Sequence, residues 1–419
     1  MKINPISRYN RELCVPGDKS ITHRAVMFGA LADGFTEVDG ALLGQDCLST
    51  IECMRALGSD IEIGSKIRVR GIGDNIGGNV CLDVGNSGTT IRLLSGALSG
   101  CEGLTAELSG DDSIRNRPMN RVIEPLRMMG ADIVSAHGGL APLKLVGAPL
   151  TAIDYAMPVA SAQVKSAIIL AAIRAEGQTI VRERVISRNH TELMLRGFGA
   201  DLISSDGIVK ARKSKLIGMP IKVPGDISSA VFWAVLAGVR GRVLIRSVGL
   251  NETRDGCLDV LRAAGARVVV LDKSVVAGET VGDIEVSKAE LRPFEISGDI
   301  VPRLIDEIPA LAVLACFCDG VSIIRDAKEL MVKESNRILT VVDLINSLGG
   351  CARATDDGMV VEGRGSLRGG TVVSGGDHRI AMAGAIALML SDNGGDVLGS
   401  ECASVSYPRF FEELAGAMQ

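Results

Sequence analysis

Val15-Pro-Gly-Asp-Lys-Ser20 runs into ITHRAVMFGALADG, and a second copy, Val223-Pro-Gly-Asp-Ile-Ser228, runs into SAVFWAVLAGVRG. Each reads as a short strand, a Pro-Gly-Asp turn, a serine, and an apolar helix that ends near glycine. Looser copies lie between and beyond them. Val84-Gly-Asn-Ser87 leads into GTTIRLLSGALSG, and Met157-Pro-Val-Ala-Ser161 into AQVKSAIILAAIRAEG. Ile296-Ser-Gly-Asp299 leads into IVPRLIDEIPALAVLACFCDG, and Ser374-Gly-Gly-Asp377 into HRIAMAGAIALML. The copies recur about every 70 residues, so six units account for the 419-residue chain.

Behind each apolar helix the pattern changes. Asp46–Gly58 reads as a polar helix and Asp60–Arg70 as alternating strand; Arg121–Gly130 and Leu258–Gly265 are further helices ending near glycine. Each unit therefore mixes α and β. A helix apolar on nearly all sides must be buried all round. Six of them, three per half, predict an α/β fold with helices inside and sheets outside. The matching turns at 16 and 224 predict two lobes: residues 1–18 with 225–419, and residues 19–224, with chain crossings near 18 and 224. Glycine makes up 50 of the residues, so many backbone positions must turn tightly or approach a neighbour closely.

A turn before a helix gathers free N–H groups at the positive end of the helix dipole, where anions bind. The side chains at these starts are cationic or polar: Lys19, Ser20 and Arg24; Asn86, Ser87, Thr89, Thr90 and Arg92; Ser161, Gln163 and Lys165; Asp377, His378 and Arg379. Two loops add Arg115-Asn-Arg117-Pro118 and Lys333-Glu334-Ser-Asn-Arg337. Any one of these cations could be merely solvated. Gathered where the dipole disfavours them, they predict a cleft that receives phosphate or carboxylate groups. Asp306-Glu307 opens the apolar run IPALAVLACFC; a carboxylate there is either a first-turn acid or a partly desolvated one suited to general acid–base work. Glu334, between Lys333 and Arg337, is either a surface ion pair or a second such acid.

Other functions lose ground. The net charge of −5 and the 3% aromatic content argue against a nucleic-acid or membrane-surface binder. No apolar run reaches signal-peptide or membrane-span character. The ten cysteines form no CxxC pair and the four histidines no metal-ligand spacing, which predicts buried reduced thiols, a cytoplasmic protein and no metal site. Neither a GxxxxGK[ST] loop nor a GxSxG elbow is present.

Read as a set, Pro16-Gly-Asp-Lys-Ser20 with Arg24, Gly85-Asn-Ser-Gly-Thr-Thr-Ile-Arg92, Arg117-Pro118, Ser161-Ala-Gln163, Ser187-Arg-Asn-His190, Asp306-Glu-Ile-Pro309, Lys333-Glu-Ser-Asn-Arg337 and Asp377-His-Arg379 resemble bacterial 3-phosphoshikimate 1-carboxyvinyltransferases, the EPSP synthases, within the enolpyruvyl transferase family. The resemblance implies an inside-out α/β barrel: two lobes, each of three βαβαββ repeats around buried parallel helices, with the active site in the cleft. It implies transfer of the enolpyruvyl group of phosphoenolpyruvate to the 5-hydroxyl of shikimate 3-phosphate, without a cofactor and by a monomer. The implied ligands of shikimate 3-phosphate are Lys19, Ser20, Arg24, Ser161, Ala162, Gln163, Ser187, Arg188, Asp306 and Lys333. Those of phosphoenolpyruvate are Lys19, Gly88, Arg117, Gln163, Arg337 and Arg379. Asp306 and Glu334 are the implied acid–base pair, with Lys19 also catalytic.

Two departures stand out. The stretch Ala403-Ser-Val-Ser-Tyr-Pro408 lacks the lysine that some members carry, and Ala162 replaces a serine of others, leaving Arg188 to supply a contact. The sister transferase acting on UDP-N-acetylglucosamine uses a loop cysteine, and the matching loop, 111–118, has none. A non-catalytic anion binder would not need both Asp306 and Glu334.

Overall fold

The computed structural model describes residues 1–418, in two compact units. One comprises Met1–Pro16, Pro224–Val275 and the chain from Thr280 onward; the other comprises Gly17–Val223, with Val276–Glu279 grouped with it.

The Gly17–Val223 unit holds the helices Lys19–Leu31, Gly88–Ser99 and Ala162–Ala172. Their side chains are buried on nearly every face, as their composition requires. Three four-stranded sheets surround this core and share one topology. In the second, Gly78–Asp83 pairs parallel with Leu104–Ser109, which is antiparallel to Leu140–Val146, itself antiparallel to Asp132–Ala136. Asp154–Ala156, Gln178–Arg182, Ile208–Arg212 and Leu202–Ser205 repeat the arrangement. The predicted alternating stretch after residue 60 is the antiparallel pair Asp60–Ile63 and Ile67–Arg70.

The other unit buries the helices Ile227–Arg240, Ile308–Ala315 and His378–Leu390 in a core of its own. Its third sheet has only three strands, because no hairpin follows Gly395–Leu398; Lys2–Ile3 pairs there instead.

One feature of register explains why the chain passes twice between the units. In four repeats the opening strand pairs with the strand that follows the inner helix of the same repeat. In the first and fourth repeats these partners are exchanged. Tyr9–Cys14 pairs parallel with Gly241–Gly249, and Ile221–Lys222 pairs parallel with Phe35–Asp39. Each unit thus closes its sheets with a strand from the other end of the sequence.

The fifth repeat departs from its predicted continuous helix. A 3-10 turn, Gly298–Ile300, and a short helix, Val301–Leu304, stop before Ile308–Ala315 begins. Pro309 has no N–H to donate, and its ring would clash with the carbonyl of residue 305 in a continuous helix. The break leaves Asp306 and Glu307 on a turn.

The cysteine expectation needs correction. Among the described residues none of the ten cysteines is in a disulfide, but Cys14 and Cys81 are exposed and Cys351 and Cys402 only half-buried, because they lie on outer strands and a 3-10 turn rather than on inner helices. Among the described residues no helix is long and apolar enough to cross a membrane.

Close helix approach is bought with glycine at Gly96, where an added Cβ would overlap the Ala167 carbonyl oxygen of the facing helix. Gly96→Ala is expected to lower stability by about 1–3 kcal/mol or more, as overpacking against backbone does. A urea midpoint equal to that of the parent chain would refute this reading of the helix contact.

Candidate functional site

The three inner helices of the Gly17–Val223 unit are capped by Asp18, Ser87 and Ser161, each accepting from a first-turn amide. These caps fix the directions in which the following side chains leave the helix. Lys19 forms an ion pair with Asp46 at 3.0 Å, and Ser20 is half-buried. Arg24 is only 3% exposed. Its Nε donates to Thr191 Oγ1 at 2.7 Å, Nη1 to the Ser20 carbonyl at 2.9 Å, and Nη2 to Ser166 Oγ at 2.9 Å. A guanidinium carries five N–H groups, so these three bonds leave one on each terminal nitrogen. Burial lowers the Arg24 guanidinium to about 10, which still leaves it charged at neutral pH; the charge of Arg188 works against it and that of Glu192 for it.

Ser161 and Ala162, half-buried, start the third helix. Gln163 accepts from Arg92 Nη1 at 2.8 Å and donates to Thr89 Oγ1 at 3.0 Å, which ties the second and third helix starts together. Ser187 is buried, with its amide donating to Glu183 at 3.2 Å. A Cβ added to Gly88 would lie 2.7 Å from Arg92 Nη1 and 3.0 Å from Arg117 Nη1, so two guanidinium groups converge on that helix start. Arg117 donates to Ser113 at 2.8 Å, and its buried Nε has no partner among the described residues.

In the other unit the candidates gather on Arg337, whose side chain is 1% exposed. Its Nε reaches Asp377 Oδ2 at 2.8 Å, Nη2 reaches Glu334 Oε2 at 2.6 Å and Asp377 Oδ1 at 3.2 Å, and Nη1 reaches Asp306 Oδ1 at 3.3 Å. Burial alone would lower this guanidinium, but the charges of Asp377, Glu334 and Asp306 outweigh it and raise it. Burial would raise Asp377; the positive charge of Arg337 prevails and holds it below the usual carboxylate range. Asp377 also caps its helix through the Arg379 amide at 2.9 Å. Arg379 Nη1 donates to the Asp306 carbonyl at 2.9 Å, and Lys333 Nζ stands 3.3 Å from Asp306 Oδ1. The surroundings of Asp306 therefore include three cations, Lys333 and Arg337 at its carboxylate and Arg379 at its carbonyl, rather than only the apolar helix that the sequence suggests.

The structure thus gathers Asp306, Lys333, Glu334, Arg337 and Arg379 in one unit. It gathers Lys19, Ser20, Arg24, Gly88, Arg117, Ser161, Ala162, Gln163, Ser187 and Arg188 in the other. Sequence reading missed the partners: Asp46, Thr191 and Glu192 lie on helices outside the repeated turns, and Glu183 follows a strand. Glu307 stands out in the sequence only as the neighbour of Asp306 at the start of an apolar run. It is fully buried, and Ser228 Oγ donates to its Oε1.

Beneath the Lys19 and Gly88 helix starts, His23 Nδ1 meets Thr50 Oγ1 at 2.7 Å, Thr50 meets Thr90 at 2.6 Å, and Thr90 donates to Ser87 at 2.7 Å. Burial, with the charges of Lys19 and Arg24 adding, pushes His23 well below its ordinary value. The folded chain therefore keeps it neutral while the unfolded chain takes up a proton below about pH 6.5. This residue's contribution to stability is present above that pH and is lost as pH falls, at up to about 1.4 kcal/mol per unit. His23→Gln should flatten the fall in unfolding free energy between roughly pH 6.5 and 5 relative to the parent; parallel curves would contradict it.

Comparison with known proteins gives the following. The family described as EPSP synthase (3-phosphoshikimate 1-carboxyvinyltransferase) matches residues 3–414. The 3-phosphoshikimate 1-carboxyvinyltransferase of Thermoanaerobacter sp. strain X514 is 47% identical over 405 residues, covering 96% of each chain. That of Shouchella clausii is 50% identical over 409 residues, covering 96% of this chain and 95% of its own. The solved EPSP synthase from Acinetobacter baumannii superposes with a TM-score of 0.88 at 38% identity, covering 99% of this chain and 97% of its own.

Proposed function

We propose roles for individual side chains from the premise that the chain belongs to the EPSP synthase (3-phosphoshikimate 1-carboxyvinyltransferase) family. It transfers the enolpyruvyl group of phosphoenolpyruvate to the 5-hydroxyl of shikimate 3-phosphate, releasing phosphate, on the route to chorismate and the aromatic amino acids. We further read it as a cytoplasmic monomer that takes no nucleic acid.

The reading of the site is carried by one observation: Asp306 and Glu334 lie on the same buried guanidinium, at 3.3 and 2.6 Å. Two carboxylates held by one cation suit a reaction that moves one proton off a hydroxyl and another onto carbon. Asp306 accepts the 5-hydroxyl proton as that oxygen attacks C2 of phosphoenolpyruvate. Glu334 protonates C3, then removes a proton as the tetrahedral intermediate expels phosphate. Lys333 stands on the hydroxyl side, and Lys19 faces both substrates. Arg117, Arg337 and Arg379, with the helix start at Gly88 and with Gln163, hold phosphoenolpyruvate and the leaving phosphate. Arg337 has one uncommitted N–H, on Nη1, to give, since carboxylates take the other four. Ser161, Ala162, Ser187 and Arg188 hold the 3-phosphate, while Ser20 and Arg24 hold the shikimate ring and carboxylate.

Asp306→Asn and Glu334→Gln should each lower kcat by about 10²–10⁴-fold in a phosphate-release assay with shikimate 3-phosphate. Undiminished turnover in both would favour a binding role for these groups.

Glyphosate is expected to compete with phosphoenolpyruvate. Gly88→Ala should weaken that inhibition, because the new methyl presses on Arg92 and Arg117. Equal inhibition of both forms would remove Gly88 from the site.

A further inference from the structure

Lys165 stands in the first turn of the Ala162–Ala172 helix with its side chain 1% exposed. A buried ammonium is tolerated only when paired. Here it is paired twice, with Glu183 Oε2 and Glu192 Oε1, each at 2.7 Å, and both carboxylates are as buried as the lysine. It also donates to the Ser187 carbonyl at 3.1 Å. Two of its N–H groups thus make hydrogen bonds, to Glu183 and to the Ser187 carbonyl, while Glu192 adds its charge at ion-pair distance without a hydrogen bond. The other Glu183 oxygen, Oε1, accepts from the Ser187 amide at 3.2 Å and from the Ser187 hydroxyl. One buried ion pair therefore grips Ser187 at its amide, carbonyl and hydroxyl. The helix does not need it, since neighbouring positions are filled by Val164, Ile168 and Ile169. An ion pair in such a place is no more stabilising than apolar packing of equal volume.

We propose that Lys165, acting through Glu183, is a positioning residue for shikimate 3-phosphate: it fixes the backbone of Ser187 so that the hydroxyl alone turns, from the Glu183 carboxylate to the arriving phosphate. This rests on the reading of Ser187 as a ligand of the 3-phosphate. The pair sets the affinity for one substrate and leaves the other untouched.

The test is steady-state kinetics with each substrate varied in turn. Lys165→Met combined with Glu192→Gln removes one charge of each sign, so the net charge of the buried site is unchanged while Glu183 loses its cation. This variant should raise KM for shikimate 3-phosphate by about tenfold, with kcat and the KM for phosphoenolpyruvate within about threefold of the parent. Glu183→Gln keeps an acceptor for the amide but loses the charge; it should move the same constant in the same direction, by about threefold or more, and it carries the test if the double variant does not fold. A lower Tm with both KM values unchanged, or both KM values rising together, overturns the proposal, since a merely structural role predicts one or the other. Ser187→Ala separates the two readings. If it leaves KM for shikimate 3-phosphate unchanged, the pocket assignment fails and the proposal with it. If it raises that KM while the Lys165 and Glu183 variants do not, the positioning role alone is overturned.

Discussion

A helix that is apolar all round can carry charge only near its ends, or deeper in if the charge is paired. That constraint governs this chain. Six such helices form the two cores; Ile227–Arg240 carries only Arg240 at its end and Ile308–Ala315 carries no charge, while in Lys19–Leu31, Gly88–Ser99, Ala162–Ala172 and His378–Leu390 the charged residues lie in the first turns. There the helices have unpaired amides, which their own acids partly satisfy at Asp18, Asp226 and Asp377. Other buried cations are held by fixed partners: Arg24 by hydroxyls and a carbonyl, Lys165 by two carboxylates and, at the start of a further helix, Arg337 by buried Asp377 and half-buried Asp306 and Glu334. Such groups are rigid before any substrate arrives. A site built from them spends little on ordering side chains, which is where preorganised electrostatic catalysis gains its advantage.

The two units divide the chemistry along the same line. The Gly17–Val223 unit has donors suited to a phosphorylated hydroxy acid: hydroxyls at Ser161 and Ser187, an amide at Gln163, and guanidinium N–H groups left over on Arg24. The other unit concentrates carboxylates and cations within one hydrogen-bonded cluster, where proton movement and charge stabilisation can occur together. Its key turn exists because Pro309 stops the preceding helix, so backbone chemistry presents Asp306 where an uninterrupted helix would not.

Much of this was legible in the sequence because it is periodic. The Pro-Gly-Asp turns and the helices behind them mark the repeats, and the cations near those turns mark the proposed anion site. What escaped reading lacked a period. The exchanged strand Ile221–Lys222 is two residues long and carries no alternation to detect. The interrupted helix of the fifth repeat reads as continuous because apolar residues flank the break on both sides. The partners of the site cations, Asp46, Glu183 and Glu192, sit in polar stretches where an acid is unremarkable; only tertiary packing makes them buried. The resemblance named the roles of single residues, but not that Arg337 would bind both candidate acids, which is a fact of three dimensions.

The measurement closest to the central claim is a crystal structure of the chain soaked with shikimate 3-phosphate. The account predicts the 3-phosphate on Ser161 and Ser187, and the carboxylate on the remaining N–H groups of Arg24, with Thr191 and Ser166 still holding that guanidinium from behind. A ligand bound elsewhere, with those side chains beyond hydrogen-bond reach of it, would contradict the claim that the helix starts form the substrate receptor.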